Sequence, residues 1–218
     1  DGFFNILEAS KENQIKHLIY ASSSSVYGLA DEMPFKETYN TDKPISLYAA
    51  TKKSNEILAY SYSHMYKLPT TGLRFFTVYG PWGRPDMALF KFTKNILEDK
   101  EIEIYGNGEM ERDFTYVDDI VESVSKLVEL PPSSEDGYFY RILNIGRGQP
   151  VKLMDFIKIL ETKLNKKAKY KFLDMQPGDV KTTFADTTAL EQLISYKPKI
   201  NLDQGISDFI DWYISYYK

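Results

Sequence analysis

Two short apolar runs, HLIYAS at residues 17–22 and TTGLRFF at 70–76, flank a long helical pattern from Leu47 to Tyr66, and this order leaves few folds open. Runs of that length without polar alternation suit strands buried on both faces of a sheet. A strand, a helix and another strand in succession imply a right-handed crossover between parallel neighbours, with helices on the faces of the sheet. A loop rich in Pro and polar residues fills 28–46 ahead of the helix.

Beyond the second strand the character changes. VYGPWGRP at 78–85 is dense in Gly and Pro and reads as a loop, followed by a helix from Met87 to Glu98. In EIEIYGNGEMERDFTYV, Gly106, Asn107 and Gly108 separate two β-like runs, which predicts a hairpin turn. Asp118 and Asp119 open a further helix, where its N-terminal dipole favours acidic side chains. LPPSSEDGY at 130–138 reads as a surface loop and RILNIG at 141–146 as a strand that can return to the first sheet. Helices are expected near 151–164, 187–195 and 203–217. The pattern divides the chain into a first lobe over 1–80, rejoined by about 115–146, and a smaller α/β lobe covering most of 81–218. Residues 2–13 also read as a helix, whose apolar face of Phe3, Phe4, Ile6, Leu7 and Ala9 has no preceding strand to cover. The chain therefore reads as opening in the middle of a domain, as a fragment would.

Composition narrows the partners. The 218 residues are 43% hydrophobic and 27% charged, the balance of an ordinary globular protein. The net charge of −4, with both signs interleaved, argues against a nucleic-acid or anionic-membrane partner. No apolar run approaches a membrane span and nothing resembles a signal peptide, so a cytoplasmic location is the default expectation. The absence of cysteine removes disulfides, thiol nucleophiles and thiolate metal sites. His17 and His64 lie far apart and read as structural, so no metal site is expected.

The candidate chemistry lies on the first crossover. SSSSVYG at 22–28 follows HLIYA directly, which places hydroxyls at the carboxyl end of a parallel strand, where open α/β sheets bind ligands. A serine-rich turn would look the same. In YAATK, Tyr48 and Lys52 stand four apart and so share a helix face, the spacing of a packing pair as much as of an acid/base pair. Together the two stretches supply a hydroxyl relay, a phenol and an ammonium. Free tyrosine has a pKa of about 10, and an adjacent cation favours the phenolate. Such a phenol can take a proton from a substrate hydroxyl while a hydride leaves the same carbon for a nicotinamide.

The serine cluster with VYG, then YxxxK, RFFTVYGP, RDFTYVDD and PGDV, occur in an order that resembles the extended short-chain dehydrogenase/reductase family acting on nucleotide sugars. The resemblance runs over essentially the whole chain, and the stretch from Arg74 to Ile120 is most similar to UDP-glucuronate 4-epimerases. It implies an α/β fold: part of a Rossmann-like doubly wound parallel sheet, with a smaller α/β substrate-binding lobe. It implies NAD as cofactor, a UDP-sugar as substrate, and a homodimer for the full-length protein. The dimer would form through two helices, one of them carrying Tyr48, with Ile57, Leu58, Tyr62 and Tyr66 as an apolar seam unless these face the sheet.

Carried over by position, the resemblance implies that Tyr48 is the catalytic base. Lys52 would hold the nicotinamide ribose and lower the Tyr48 pKa, and Ser23, with Ser24, would bind the sugar hydroxyl. Ala21, Ser22, Phe75 and Val78 match positions lining the cofactor site. Thr77 and Arg84 match positions near the sugar carboxylate, Met87 and Ala88 lie by the diphosphate at a helix start, Glu103 and Tyr105 beside the uracil, Arg112 on the diphosphate and Asp179 on the uridine ribose. Phe75 and Val78 could equally be core, and Glu103 a solvated hairpin residue, whereas a guanidinium at Arg84 or Arg112 suits carboxylate or phosphate geometry.

Departures from the family pattern also discriminate. Members that dehydrate the sugar carry Asp and Glu just before VYG, and decarboxylating members carry a Glu there. Ser24 and Ser25 stand in those positions here, which favours epimerisation without elimination. The glycine-rich G-x-x-G-x-x-G turn that cradles a pyrophosphate in this fold is not in the chain. GNGEME at 106–111 and IGRGQP at 145–150 each lack the last glycine and read as turns. The expectations are thus a substrate lobe plus half a nucleotide-binding lobe, with poor NAD affinity. Alternatives are a catalytically silent sugar-nucleotide-binding fragment and an epimerase for a neutral UDP-hexose.

Overall fold

In the computed structural model, which describes residues 1–30, 32–134, 139–176 and 178–217, the strand expected at 70–76 is the middle one of a parallel three-stranded sheet. Its neighbours are β1 (Leu18–Ser23) and the strand returning from 141–146, so that β2 (Thr70–Phe75) pairs Leu18 with Thr70 on one edge and Thr70 with Tyr140 on the other. The chain divides into two compact units. The first comprises Asp1–Phe76, Val121–Ile145 and Ala185–Tyr196; the second comprises Thr77–Ile120, Gly146–Phe184 and Lys197–Lys218.

In the first unit, α1 (Gly2–Glu12) precedes β1, and α2 (Leu47–Tyr66) provides the crossover to β2. Ser46 caps α2 by accepting the Ala49 N–H on its side chain, and Lys67 ends it in a left-handed conformation two residues before Pro69. Ala49 and Ala59 are fully buried, and their small side chains let the helix approach the sheet closely. At Gly72 no side chain fits, because a Cβ would come within 2.6 Å of the Tyr20 hydroxyl. Leu7, Tyr20, Ala59, Tyr62 and Leu68 form the core between α1, α2 and the sheet. The four seam candidates divide: Tyr62 is buried and donates to Glu8, Leu58 packs partly against the core, and Ile57 and Tyr66 are exposed.

The second unit contains β3 (Thr77–Tyr79), a three-residue strand inside the stretch read as loop, and α3 (Ala88–Leu97). The expected hairpin is absent. Although β4 (Glu101–Tyr105) and β5 (Glu111–Tyr116) flank the Gly106–Gly108 turn, they join different sheets. Three successive residues with positive φ, Gly106, Asn107 and Gly108, carry the chain away from β4 rather than folding it back in a two-residue turn. Partners distant in sequence take both strands, β8 (Lys169–Leu173) pairing with β4 in parallel, and β3, β7 (Pro150–Lys152) and β9 (Thr182–Thr183) pairing with β5. Ile102 and Ile104 of β4, Phe156 and Leu160 of the helix Leu153–Leu164, and Ile206 and Phe209 of the helix Leu202–Tyr217 close this unit's core. Among the described residues no helix is long and apolar enough to cross a membrane. The expected loop at 130–138 lies partly outside the described residues.

His17 joins this architecture as a structural group. Arg141 Nε donates to Thr71 Oγ1 at 3.0 Å, which leaves the Thr71 hydroxyl proton for His17 Nε2 at 2.8 Å, while Nδ1–H faces the Val128 carbonyl at 3.3 Å. A neutral ring with its proton on Nδ1 satisfies that arrangement, and burial, with the Arg141 charge adding to it, depresses the His17 pKa. Protons therefore bind the unfolded chain more readily. This part of the stability is present above the unfolded value of 6.5 and is lost as pH falls through it towards the folded one. Urea unfolding between about pH 8 and about pH 5 should accordingly show a smaller loss of stability for His17→Gln than for the wild type; an equal loss would contradict this role.

Candidate active site

Arg74 sits near the carboxyl end of β2 with its side chain buried, and a buried charge needs a partner. Glu56, on the inward face of α2, supplies it: Arg74 Nε and Nη2 donate to the two Glu56 carboxylate oxygens at 2.9 Å each. Burial works against the Arg74 charge, and the Glu56 hydrogen bonds and the Tyr27 ring outweigh it, so the Arg74 pKa rises above its ordinary value. The guanidinium lies 4.8 Å from the Tyr27 ring centroid and donates to the Glu37 carbonyl at 3.3 Å. Tyr27 in turn donates to Asn144 Oδ1 at 2.6 Å, and Asn144 Nδ2 donates to the Phe35 and Asp186 carbonyls. One polar network therefore joins β2, α2, β6 (Tyr140–Ile145), the 28–46 loop and the Ala185–Tyr196 segment.

The serine-bearing strand end hangs on this network. Ser22 Oγ donates to Glu56 Oε1 at 2.6 Å, and one residue earlier the Ala21 carbonyl accepts from Lys52 Nζ at 3.0 Å. Two bonds thus fasten the end of β1 to α2, one on the network side and one beside Tyr48, whose ring centroid lies 5.7 Å from the Lys52 ammonium. Tyr48 itself is exposed. Ser23 Oγ accepts from both the backbone N–H and the hydroxyl of Ser25, at 3.2 and 2.9 Å. A hydroxyl has two acceptor positions and one donor, so the Ser23 proton is what remains to be offered. Ser24 opens a short 3₁₀ turn, Ser24–Tyr27. Burial pushes Tyr27 and Tyr140 up to about 12 and Tyr20 well above its ordinary value. Phe75, at the end of β2, is half-buried.

Within the second unit the remaining predicted residues, Arg112 excepted, fall around two cavities. A small one of about 50 Å³ is lined by Thr77, Val78, Arg84, Met87 and Ala88 together with apolar core residues. A larger one of about 660 Å³ is lined by Met87, Ala88, Glu103, Tyr105 and Asp179, with Asp86, Lys91 and Lys171 among the residues that sequence reasoning missed. The Glu103 carboxylate accepts from Tyr105 Oη at 3.1 Å and from Lys171 Nζ at 3.4 Å, a pairing made possible by the β4–β8 register. Arg112 is outside both linings. Its Nη1 donates to the Glu111 and Lys181 carbonyls, and burial lowers its pKa against the raising field of Asp179. The Arg84 loop is braced by Trp82, which takes a positive φ and packs 5.3 Å from Trp212 and 5.0 Å from Tyr216.

The glycine turn of IGRGQP serves an internal purpose. Arg147 and Gly148 N–H donate to the two oxygens of the buried Asp113 carboxylate at 3.0 and 2.9 Å, so the protein's own anion fills that cradle. Arg74 and Glu56 could have been found from sequence: a charge inside an apolar strand demands a partner, and Glu56 lies on α2 eight residues beyond Tyr48.

Comparison with known proteins bears on both units. The pattern described as NAD dependent epimerase/dehydratase family matches residues 1–146. The chain is 54% identical to Protein CapI of Staphylococcus aureus, over all of this chain and 69% of that one. It is 47% identical to a probable UDP-glucuronate 4-epimerase of Rhizobium meliloti, over all of this chain and 67% of that one. The solved UDP-glucuronic acid 4-epimerase of Bacillus cereus, in complex with UDP-glucuronic acid and NAD, superposes with a TM-score of 0.89 at 34% identity, covering 99% of this chain and 67% of that one. The chain thus spans about two thirds of the length of these relatives.

Proposed function

We propose that this chain, which belongs to the NAD dependent epimerase/dehydratase family, carries the acid/base machinery of an NAD-dependent UDP-sugar 4-epimerase acting on UDP-glucuronate to give UDP-galacturonate. The observation that carries the reading is the junction of Tyr48, Lys52 and Ser23 at the end of β1, held by the Lys52 bond to Ala21 and the Ser22 bond to Glu56. Similarity to the Rhizobium and Bacillus enzymes supports the substrate.

The residues suit a nicotinamide dinucleotide. An ammonium carries three N–H donors, and Lys52 places one on Ala21 O, so the others are of the right kind for ribose hydroxyls. Ala21, Ser22, Phe75 and Val78 would line the same group. A nicotinamide held there would supply the acceptor, and then the donor, of a hydride at the sugar C4. Tyr48 takes the proton of the 4-hydroxyl, and the Ser23 hydroxyl donates a hydrogen bond to the same oxygen and orients it. The sugar presents its other face before Tyr48 gives the proton back, so the net change is an inversion at C4.

Thr77 and Arg84 would meet the sugar carboxylate, Met87, Ala88 and Arg112 the diphosphate, Glu103 and Tyr105 the uracil and Asp179 the uridine ribose. Ser24 and Ser25 add no carboxylate at the strand end to drive elimination. A cytoplasmic location goes with this reading. Exposed Phe4 and Ile6 on α1, with Ile57, Met65 and Tyr66 on α2, form the apolar surface of a homodimer.

Incubation with UDP-glucuronate and NAD should yield a 4-epimer of unchanged mass by NMR and mass spectrometry. Tyr48→Phe should lower kcat by about 10²- to 10⁴-fold while leaving binding of the nucleotide sugar intact. A product that has lost water or carbon dioxide would contradict the assignment. For the dimer, Ile57→Lys should convert a sedimenting dimer to a monomer, and a monomeric wild type would remove that proposal.

A further inference from the structure

The loop between β3 and α3 brings together two residues of opposite charge. Arg84 Nε donates to Asp86 Oδ1 at 3.0 Å and Arg84 Nη2 donates to Asp86 Oδ2, the forked pairing that a guanidinium makes with any carboxylate. Arg84 lines the small cavity with Thr77, Asp86 lines the larger one, and Met87 and Ala88 line both. The pair therefore stands where the two cavities meet.

We propose that Asp86 is a specificity-determining residue, an internal carboxylate that occupies the Arg84 guanidinium until the carboxylate of an acidic sugar displaces it. The proposal rests on the uronate reading of this site. Arg84 already holds the bond geometry that a sugar carboxylate requires, but holds it on the protein. An acidic ligand gains only the difference between its own bond to Arg84 and the one that Asp86 gives up, whereas a neutral sugar leaves the pair as it is.

Two features make the exchange feasible. The pair is open to water, with side chains 76% and 56% exposed, and water screens such a pair so that a ligand can displace one partner. Asp86 is also not stranded when Arg84 leaves. It directly precedes Met87, the cap residue of α3, which makes no side-chain cap bond, so the positive end of the helix dipole remains close to its carboxylate. The Arg84 hydrogen bond is the largest influence holding the Asp86 carboxyl below its usual pKa, and the field of Lys91 acts in the same direction.

The test is isothermal titration of the wild-type protein, Asp86→Asn, Arg84→Ala and the double variant with UDP-glucuronate and UDP-glucose. These ligands share the uridine and the diphosphate, so any effect of the Asp86 charge on those parts moves both, and their ratio isolates the sugar carboxylate. Asparagine keeps the shape of the side chain at an exposed position, so folding is not at issue. Asp86→Asn should improve the preference for UDP-glucuronate over UDP-glucose by about two- to fivefold, and the gain should vanish when Arg84 is alanine. If Arg84→Ala weakens UDP-glucuronate selectively while Asp86→Asn leaves the ratio unchanged or lowers it, the proposal is overturned and the uronate reading stands. If Arg84→Ala leaves the ratio untouched, or the wild type binds neither ligand, the uronate reading falls and the proposal with it.

Discussion

A guanidinium buried at the end of a central strand admits few arrangements of its neighbours, and Arg74 imposes that condition on the sheet unit. Its charge is tolerable only against the Glu56 carboxylate, and Glu56 is available only if α2 lies with that face on β2. The same carboxylate accepts from Ser22, so the end of β1 is fixed by the group that neutralises β2. The desolvation penalty of a buried pair offsets much of its attraction, and replacing both partners by apolar groups can be neutral. Its effect here is selection: the pair favours one helix register, and that register brings Lys52 to Ala21 and Tyr48 beside it.

Carboxylates organise the other unit by a related device, with backbone amides in place of a guanidinium. Asp113 takes the Arg147 and Gly148 N–H groups, and Asp119 takes those of Lys199 and Ile200 at 2.9 Å each. A carboxylate that accepts two backbone donors satisfies groups that would otherwise be costly to bury and pins the loops that supply them. Asp113 therefore explains why IGRGQP, which superficially resembles a phosphate-binding turn, acts as a structural corner. Tyr48, Lys52 and the serines lie in the sheet unit, and the two cavities lie in the other.

Much of this was legible in the residues. The crossover from 17–22 through α2 to 70–76 could be read because apolar runs, a serine cap and a proline stop all agree locally. That Tyr48 and Lys52 share a face of α2 beside the end of β1 could be read because their spacing is short. The hairpin at Gly106–Gly108 was misread because the turn residues were right for a reversal while the strands' partners, β8 and β3, lie far away in sequence. Pairing of that kind leaves no local trace. Asn144 and Asp113 leave no signal for the same reason, since their partners lie 34 to 117 residues away. Asp86 was overlooked because an acidic residue ahead of a helix needs no explanation beyond the dipole.

A double-mutant cycle on Arg74 and Glu56, read by denaturant unfolding, tests most directly whether the buried pair sets the frame of the site. Arg74→Met and Glu56→Met should each cost about 3–5 kcal/mol, because each strands a buried charge, and the double variant should cost clearly less than the sum. Small, additive effects of the two substitutions would show that α2 finds its place on the sheet without the pair, and would contradict the account.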